Sequence, residues 1–587
     1  MSPLRSKRIT DLTELLVGIG IVALLLFIGS FARVRIDLTS EQRYTLTPAT
    51  KELVQGLEDI LYVKVYLTGE LPADLKQLER ATRDVLDEMH AVHPDHVQYS
   101  FIDPSAEPDD RARKEQYDKL QDAGLVYSSI RVKEKGGFSE KIIFPGALVT
   151  FREKTVPVQL LKTQLRTPDA DMVARSITNV EYELASGIRQ STTRQRPRIA
   201  FLEGHGELAA IETADIAQAL GAQYDVGRVS IDGRVDALST KNEGVRYRVN
   251  NYEALIIAKP DSTFSDRDRY VLDQFVMNGG RILWCIDAMD PHLDSLRQRQ
   301  FSMATARELG IEELLFAYGA RLNKDLVLDK SCAPIEIFTQ PYGNQRKLER
   351  FPWYFEPVSV PQSAHPIVAN IDPVHFKFAG TIDTIGVDSV RKTVLLTSSP
   401  LSFAQKNPVR VSLSIVEMDQ GFERRATPHL PMAVLLEGKF RSAYYDRLPS
   451  AIRADKDVAY RERSARTAQL VIADGDVIAN RVDAAKGMYY MLGFDRYANA
   501  KLYGNRELIL NAMNYLLDDR ALISIRSRAI TLRPLDTNEV SLRRTYWQAM
   551  GIGAPLAISL LFGFAYQLHR RSQNRRAAPR TSTASRR

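Results

Sequence analysis

The chain has 587 residues, 26% of them charged, and a formal net charge of +7. The first ten residues contribute +3 and the last eighteen contribute +7 without any acidic side chain, so the residues between them carry a small negative excess. Basic tails on a slightly acidic middle exclude a nucleic-acid-binding domain and favour contact of the tails with an anionic membrane surface.

A hydrophobic segment lies near each end of the chain. Residues 15–31 follow three basic residues, and residues 547–566 precede a run of arginines. A helix of about 20 apolar residues crosses a bilayer, and basic flanks remain in the cytoplasm. The sequence therefore predicts transmembrane helices at 13–32 and 545–567, short cytoplasmic ends at 1–12 and 568–587, and a large region on the far side of the membrane. A cleaved signal peptide is the alternative for the first segment, but the residues after it form a poor cleavage site.

The first outer block, residues 33–190, has a mixed pattern of helices and strands. A helix should begin at Pro48 after Thr47, because proline is favoured at the first helical position. The predicted elements that follow are a strand at 61–67, a helix at 73–92, a strand at 97–104, a helix at 109–122, and two long strands, SSIRVKEK and KIIFPGALVTF. This order resembles a thioredoxin-like sandwich, but without redox cysteines, so that chemistry is excluded.

The second block, residues 191–334, follows a helix near 171–189 and a linker at 192–198. Strands and helices alternate here, which is typical of a doubly wound α/β domain. Strands are predicted at 198–204, 224–231, 252–260 and 281–287, with a helix at 211–221 and another after Ser265. Ser265 and Asp268 have the spacing of a capping box, and Gly279-Gly280 should end that helix.

The third block, residues 335–544, contains strand-like runs at 393–399, 432–440 and 469–478 between long loops. It closes with an amphipathic helix at 502–519 and a short strand at 529–535. Residues 577–587 should be disordered because they contain almost no apolar side chains. The fold class predicted for the whole outer region is therefore α/β and multidomain.

A candidate ligand site follows the first strand of the second block. Its residues are Glu203, Gly204, His205, Gly206 and Glu207. Ligands in such folds lie at the carboxyl ends of the strands, and the glycines would let a ligand approach the backbone closely. Two carboxylates around a histidine could also bind a metal or carry protons. The alternative is a tight turn with solvated side chains.

Other strand ends should line the same edge of the sheet. Lys259 and Asp261 follow the third strand, and Asp287 follows the fourth. Lys259 could contact an anionic or hydroxylated ligand, although a solvated loop lysine is the more ordinary interpretation.

The chain lacks the common catalytic motifs. It has no G-x-S-x-G or G-x-C-x-G elbow, no phosphate-binding P-loop and no H-E-x-x-H. Cys285 and Cys332 have no metal-ligand spacing, Cys285 falls within a predicted strand, and a disulfide between the two is possible in an oxidising compartment. We therefore expect no enzyme activity, no cofactor and no bound metal.

Several phrases in order resemble the gliding-motility GldG family of ABC-transporter auxiliary proteins, also described as substrate-binding subunits. The phrases are RYTLTPAT (43–50), RIAFLEGHGEL (198–208), YEALIIAKPDSTFSDRDRYVLDQFVMNGGRILWCID (252–287), YGARLNKDLVLDKSC (318–332), LLEGKF (435–440) and LYGNRELILNAMNYLLDDRALISIRSRAITLRPLD (502–536). The resemblance extends from about residue 35 to the second membrane segment. In this family the α/β block is a GIFT-type domain, related to class I glutamine amidotransferases, whose catalytic cysteine has no counterpart here.

The resemblance implies a location in the bacterial inner membrane with a large periplasmic region. It also implies two partners, a GldF-like permease and a cytoplasmic GldA-like ATPase, and a link to gliding motility or envelope export. A polysaccharide or an envelope protein could be the ligand. Two alternatives remain open, namely a structural scaffold without a small ligand and a hydrolase that uses Glu203, His205 and Glu207.

Overall fold

The computed structural model describes residues 45–517, apart from short gaps at 108, 135–136, 162–168, 194, 243, 245, 292–295, 297–299, 340–346, 418–419 and 456–457. It also describes residues 542–576, residue 525 and several positions between 13 and 27. The chain divides into two compact units, Met1–Ala529 and Ile530–Arg587.

The first block of the larger unit contains one mixed sheet. Its strands run in the order β2-β1-β5-β6, with β2 parallel to β1 and the other neighbours antiparallel. Most predicted elements are confirmed, including the 20-residue helix α2. The elements are α1 (Pro48–Gln55), β1 (Leu61–Val65), α2 (Ala73–Val92), β2 (Val97–Phe101), α3 (Asp110–Asp122), β3 (Ser128–Glu134), β4 (Gly137–Ile143), β5 (Gly146–Phe151), β6 (Lys154–Gln159) and α4 (Asp169–Thr192).

Helix α1 begins as the sequence predicts, with Pro48 at its first position and Thr47 as its cap. The Thr47 hydroxyl accepts a hydrogen bond from the Thr50 N–H, and the Glu181 carboxylate accepts bonds from the N–H and hydroxyl of Thr47 and from the Thr50 hydroxyl. Glu181 lies in α4, so this buried acceptor joins the two ends of the block.

The prediction of one long strand for KIIFPGALVTF is wrong. The run divides at Phe144-Pro145 into β4, which pairs only with β3 in the described structure, and β5, which pairs with β1 and β6. Pro145 has no N–H to donate to a neighbouring strand, whereas its carbonyl oxygen accepts a bond from the Leu160 N–H. The two halves consequently belong to different sheets.

A seven-stranded sheet organises the remainder of the unit, in the order β21-β24-β25-β12-β11-β7-β8. The five strands from β25 to β8 are parallel, and β24 and β21 complete the sheet in antiparallel pairings. Its elements are β7 (Arg198–Glu203), α5 (Ala214–Gly221), β8 (Asp225–Ser230), β9 (Ser239–Thr240), β10 (Val249–Asn250), β11 (Ala254–Ala258), α6 (Asp266–Met277), β12 (Arg281–Cys285), and, much later in the chain, β21 (Val390–Thr397), β24 (Pro431–Arg441), β25 (Arg463–Ile472) and α10 (Asn505–Leu516).

The sheet is covered on both faces, as the doubly wound pattern predicts. Side chains on one face pack against α5 and α10, and side chains on the other pack against α6 and α7 (Glu312–Tyr318). Strands from the predicted third block lie in this same sheet, so the second and third blocks share one core. The predicted strand 469–478 ends earlier, at Ile472, and a 3-10 turn, Asp476–Ile478, follows it.

The segment between β12 and β21 forms smaller sheets around a separate core that contains Trp353 and Phe355. Its strands, with those of the later loops, are β13 (Met289–Asp290), β14 (Ser302–Ala306), β15 (Ala320–Leu322), β16 (Asp325–Asp329), β17 (Cys332–Thr339), β18 (Lys347–Ser359), β19 (Val374–His375), β20 (Ile382–Thr384), β22 (Ser402–Lys406), β23 (Val409–Val411), β26 (Val482–Asp483), β27 (Met488–Tyr489), β28 (Phe494–Asp495) and β29 (Ala500–Lys501). Two short helices accompany them, α8 (Phe422–Arg425) and α9 (Ser450–Ala454).

The second unit contains one long helix, α11 (Arg544–Arg576). Its segment Arg544–His569 is apolar and long enough to cross a membrane. Of the predicted first span, residues 13, 16–21, 23, 24 and 27 are helical and exposed, while the rest of that span lies outside the described residues. The strand predicted at 529–535 and the tail at 577–587 also lie outside them.

Candidate functional site

The carboxyl ends of four parallel strands meet at one edge of the central sheet, which we call the carboxyl edge. It is formed by the residues that follow β7, β11, β12 and β25. The predicted site residues are placed there by their strands: Lys259 directly follows β11, and Asp287 comes two positions after β12. Whether they bind a ligand remains a prediction.

The glycines after β7 turn the chain sharply. Gly204 has φ +111° and Gly206 has φ +72°, so the strand ends at Glu203 instead of continuing through the turn. Glu203 accepts a hydrogen bond from Arg228 at 2.8 Å. His205 and Glu207 contact each other instead, so the structure does not bring Glu203 onto their face.

His205 is buried, with 5% of its surface exposed, and it lies between two carboxylates. Its Nδ1 is 3.3 Å from Glu207 Oε1, and its Nε2 is 3.3 Å from Asp268 Oδ2. The Nδ1 contact lacks hydrogen-bond geometry, so it acts as an ion pair when the ring is protonated. The ring also stacks on Phe264, with centroids 3.8 Å apart and planes 11° apart.

Opposite charges on His205, Glu207 and Asp268 attract one another. Burial alone would lower the pKa of His205, but Glu207 and Asp268 outweigh that effect and the pKa is raised. Burial alone would raise the pKa of Asp268, but bonds from Ser265, Gly233 and His205 lower it. A buried ring with a carboxylate on each side is suited to fixing the turn, and both carboxylates favour its protonated form.

Asp261 is part of the same turn. Its N–H donates to the His205 carbonyl at 2.9 Å, and its side chain lies directly against Gly206. A Cβ built at residue 206 would lie 1.6 Å from Asp261 Oδ1, so only glycine fits there. Gly206 therefore serves the packing of this turn, whereas Gly204 serves its backbone conformation.

Asp268 was predicted only as a helix cap. Ser265 Oγ accepts a bond from the Asp268 N–H, which confirms one half of the capping box. The carboxylate of Asp268, however, accepts bonds from the Ser265 hydroxyl and the Gly233 N–H and contacts His205. It thus ties helix α6 to the turn after β7.

A second cluster surrounds Lys259. Its ammonium lies 2.5 Å from Asp476 Oδ2 and 3.6 Å from Asp287 Oδ2. Asp287 and Asp474 are almost fully buried, and carboxylate oxygens of Asp287, Asp474 and Asp476 lie within 4.8 Å of one another. Main-chain N–H groups of Gly475 and Lys377 donate to Asp287 and Asp474 at 2.6 and 2.7 Å. We call these four side chains the Lys259 cluster.

The three carboxylates of the Lys259 cluster change one another's pKa values. Burial, followed by the charge of Asp476, raises the pKa of Asp287 to about 6 and raises that of Asp474. Burial would also raise the pKa of Asp476, but Lys259 and Lys377 lower it. Burial would lower the pKa of Lys259, but Asp476 and Asp287 raise it. By their spacing the three carboxylates could hold a cation, and the ammonium of Lys259 already supplies one.

Sequence reasoning missed Asp474 and Asp476, which stand in the phrase ADGD directly after β25. An acidic pair after a buried strand was a usable signal, but it depended on knowing that β25 lies beside β12. The same pairing explains Gly475, since a Cβ there would lie 2.4 Å from Lys259 Cγ.

The cysteines take no part in either cluster. Cys285 is fully buried within β12, and burial raises the pKa of its thiol well above the ordinary value. Burial also raises the pKa of Cys332, to about 12. Both are free thiols in the structure, so the disulfide considered from the sequence is not formed.

The chain is similar to two protein families, to a bacterial protein and, weakly, to a domain of known structure. Residues 196–512 match a family described as an ABC-type uncharacterized transport system, and residues 40–150 match a domain of unknown function. An uncharacterized protein of Borreliella burgdorferi is 20% identical over 448 residues, which cover 74% of this chain and 79% of that protein. Among solved structures, the mmIFT52 N-terminal domain gives a TM-score of 0.30 at 12% identity, covering 54% of this chain and 96% of that one. That TM-score is too low to assign a shared fold.

Proposed function

Because the chain belongs to the family described as an ABC-type uncharacterized transport system, we propose that it is a non-enzymatic auxiliary subunit of an ABC transporter. The family match carries this proposal, since it covers more than half of the chain and includes every strand of the central sheet. The apolar helix α11 supports an association with the membrane.

We further propose that the chain is a GldG-like protein that works with a GldF-like permease and a GldA-like ATPase. In this proposal both termini are cytoplasmic and the outer region is periplasmic. The strand order β2-β1-β5-β6 supports a thioredoxin-like first block, and the parallel strands β12, β11, β7 and β8 support a GIFT-type second block. The proposed cellular role is gliding motility or envelope export.

The carboxyl edge is the proposed surface for a substrate or partner. It presents the Lys259 cluster and the turn of residues 203–207 at the carboxyl ends of parallel strands, which is where ligands of α/β folds bind. A non-enzymatic role is supported by Cys285, which is buried in a strand with a raised thiol pKa and so lacks the exposed thiolate that a nucleophile needs.

A scaffold without a small ligand is the second candidate, and one observation favours it. The charged groups of both clusters are already paired with one another, so a ligand would have to compete with existing ion pairs. Substitution of His205 by alanine separates the candidates. Loss of ligand affinity supports a binding subunit, loss of a reaction rate supports the hydrolase, and unchanged binding and assembly support the scaffold.

The first experiment is purification of the tagged full-length chain in mild detergent, with quantitative mass spectrometry of the proteins that accompany it. We expect a permease and an ATPase in near-equal amounts. A variant ending at residue 541 should lose the permease, because it lacks α11, and the full-length H205A variant should retain it. Recovery of envelope proteins alone from the full-length chain would overturn the transporter proposal.

A further inference from the structure

Three histidines stand three positions apart where helix α2 ends and strand β2 begins, namely His90, His93 and His96. His90 lies within α2, and its Nδ1 is 2.7 Å from the Val97 carbonyl oxygen. A carbonyl oxygen only accepts hydrogen bonds, so His90 carries a proton on Nδ1 and donates it to this turn. The other two rings contact each other.

The rings of His93 and His96 approach each other through their nitrogens. His93 Nε2 lies 2.7 Å from His96 Nδ1, the ring centroids are 4.1 Å apart, and the planes meet at 68°. In two neutral rings one of these nitrogens carries the shared proton and the other accepts it. If the donor ring moves that proton to its other nitrogen, two lone pairs face the same small space. Both residues are partly exposed, so an ion in solution can reach them.

Main-chain hydrogen bonds hold both histidines in place. The His93 N–H donates to the Met89 carbonyl at 3.2 Å, and the His93 carbonyl accepts bonds from the N–H groups of His96 and Val97 at 3.2 and 3.0 Å. The His96 carbonyl accepts a bond at 2.7 Å from the N–H of Leu61, the first residue of β1. The two rings are therefore attached to a fixed turn, and a ligand need not order the chain to bring them together.

The separation of the two nitrogens suits a metal ion. Metal–nitrogen bonds of about 2.0–2.1 Å, at angles of about 90–109°, place two ligand nitrogens about 2.9–3.4 Å apart. Opening the observed 2.7 Å to this range requires only a rotation of the rings. Imidazole nitrogen suits nickel, copper and zinc, and at a given site the affinity rises from Ni²⁺ to Cu²⁺ and falls again at Zn²⁺.

Carboxylates near the pair favour a cation. Asp95, which stands between the two histidines in the chain, is exposed, and the charge of Asp59 interacts with His96. Arg152 pairs with Asp59 at 3.1 Å and with Glu58 at 3.6 Å, so two carboxylates share one guanidinium. Among the described residues, no third histidine, cysteine or carboxylate stands close enough to complete the ligand set, so water would occupy the remaining positions.

We propose that His93 and His96 bind a divalent transition-metal ion, with Cu²⁺ preferred over Ni²⁺ and Zn²⁺. The proton that the two neutral rings share moves to the outer nitrogen of the donor ring, so no proton is lost. The bound ion joins the end of α2 to the turn before β2 and, through the His96 carbonyl, to the start of β1. This site lies in the first block, is separate from the carboxyl edge and does not depend on the proposed transport role.

Binding of Cu²⁺ to the full-length protein in detergent tests the site, with a purification tag that contains no histidine. Electron paramagnetic resonance of the protein with one equivalent of Cu²⁺ should show coupling to two nitrogen nuclei. Zn²⁺ should compete for the site, whereas Mg²⁺ should not, because Mg²⁺ prefers oxygen ligands. His93→Asn and His96→Asn should each weaken Cu²⁺ binding at least tenfold, since loss of even an outer partner of a metal ligand costs about 10–100-fold.

His429→Asn is the matched control, because His429 is exposed and asparagine tolerates its φ of +57°. It should leave the Cu²⁺ affinity within about twofold. Modification by diethyl pyrocarbonate is a second measurement that needs no variant: Cu²⁺ should protect His93 and His96 and leave His429 as reactive as before. A spectrum with fewer than two nitrogen ligands, unchanged affinity in both variants, or the absence of protection would overturn the proposal.

Discussion

Replacement of Lys259 by methionine should destabilise the protein strongly and in a pH-dependent way. The substitution keeps the length of the side chain but removes the cation from three clustered carboxylates, two of which are at most 4% exposed. Removing one partner of a buried ion pair costs about 3–5 kcal/mol. Because the Lys259 side chain is 27% exposed, we expect the lower end, about 3 kcal/mol at pH 8.

The pH dependence follows from Asp287. An acid whose pKa is raised on folding, here from 3.8 to about 6, binds its proton more tightly in the folded state, so protonation stabilises the fold as the pH falls through that value. Loss of Lys259 removes an interaction that opposes this rise. A proton then replaces the missing cation at low pH, and the defect should be smaller at pH 5 than at pH 8.

Thermal unfolding of the full-length protein, followed by tryptophan fluorescence, measures the effect, because Trp284 is buried in β12, three positions before Asp287. Lys330→Met is the matched control, since Lys330 is exposed, and it should change stability by less than about 0.5 kcal/mol. Equal unfolding temperatures for the two variants, or a Lys259→Met defect of the same size at pH 5 and pH 8, would refute the role assigned to this lysine.

Three further outcomes can be measured on the same material. In thermal unfolding, Gly206→Ala should lower stability more than Gly204→Ala. Both glycines have positive φ, which costs alanine about 1–3 kcal/mol at each position, but only at residue 206 does the added Cβ also collide with Asp261. NMR titration of His205 should give a pKa above 6.5, and the Glu207→Gln variant should give a lower value. Because the pKa is raised on folding, protonation of His205 stabilises the fold. This stabilisation is fully present below pH 6.5 and is lost as the pH rises through the pKa of the folded state. Cys285 should react with thiol reagents only after denaturation, and equal labelling of native and denatured protein would contradict its burial.

Local signals in the sequence predicted most elements correctly. Helix α1 begins at Pro48 after Thr47, and the amphipathic spacing of residues 73–92 gave the bounds of α2. These features depend on neighbouring residues, so a single sequence contains the information. The carboxyl edge was also predictable in part, because strand ends of a parallel sheet meet at one edge.

Contacts between residues far apart in the chain could not be predicted from such local signals. Nothing near β25 indicates that it lies beside β12, so Asp474 and Asp476 were not connected with Lys259. Asp268 was recognised as a cap, but its contact with His205 depends on a turn 63 positions earlier. In each case the missing information is the tertiary partner, which local propensity does not specify.

The placement of β25 has a consequence for synthesis of the chain. Trp284 in β12 donates its hydrogen bond to Gln469 in β25, 185 positions later. At 5–20 residues per second, translation needs on the order of 10 to 40 s to proceed from Trp284 to Gln469. During this interval one side of β12, an apolar strand, has no neighbour, and exposed strand edges promote aggregation. Nascent chains halted between β12 and β25 should therefore depend on chaperones more than the finished protein does.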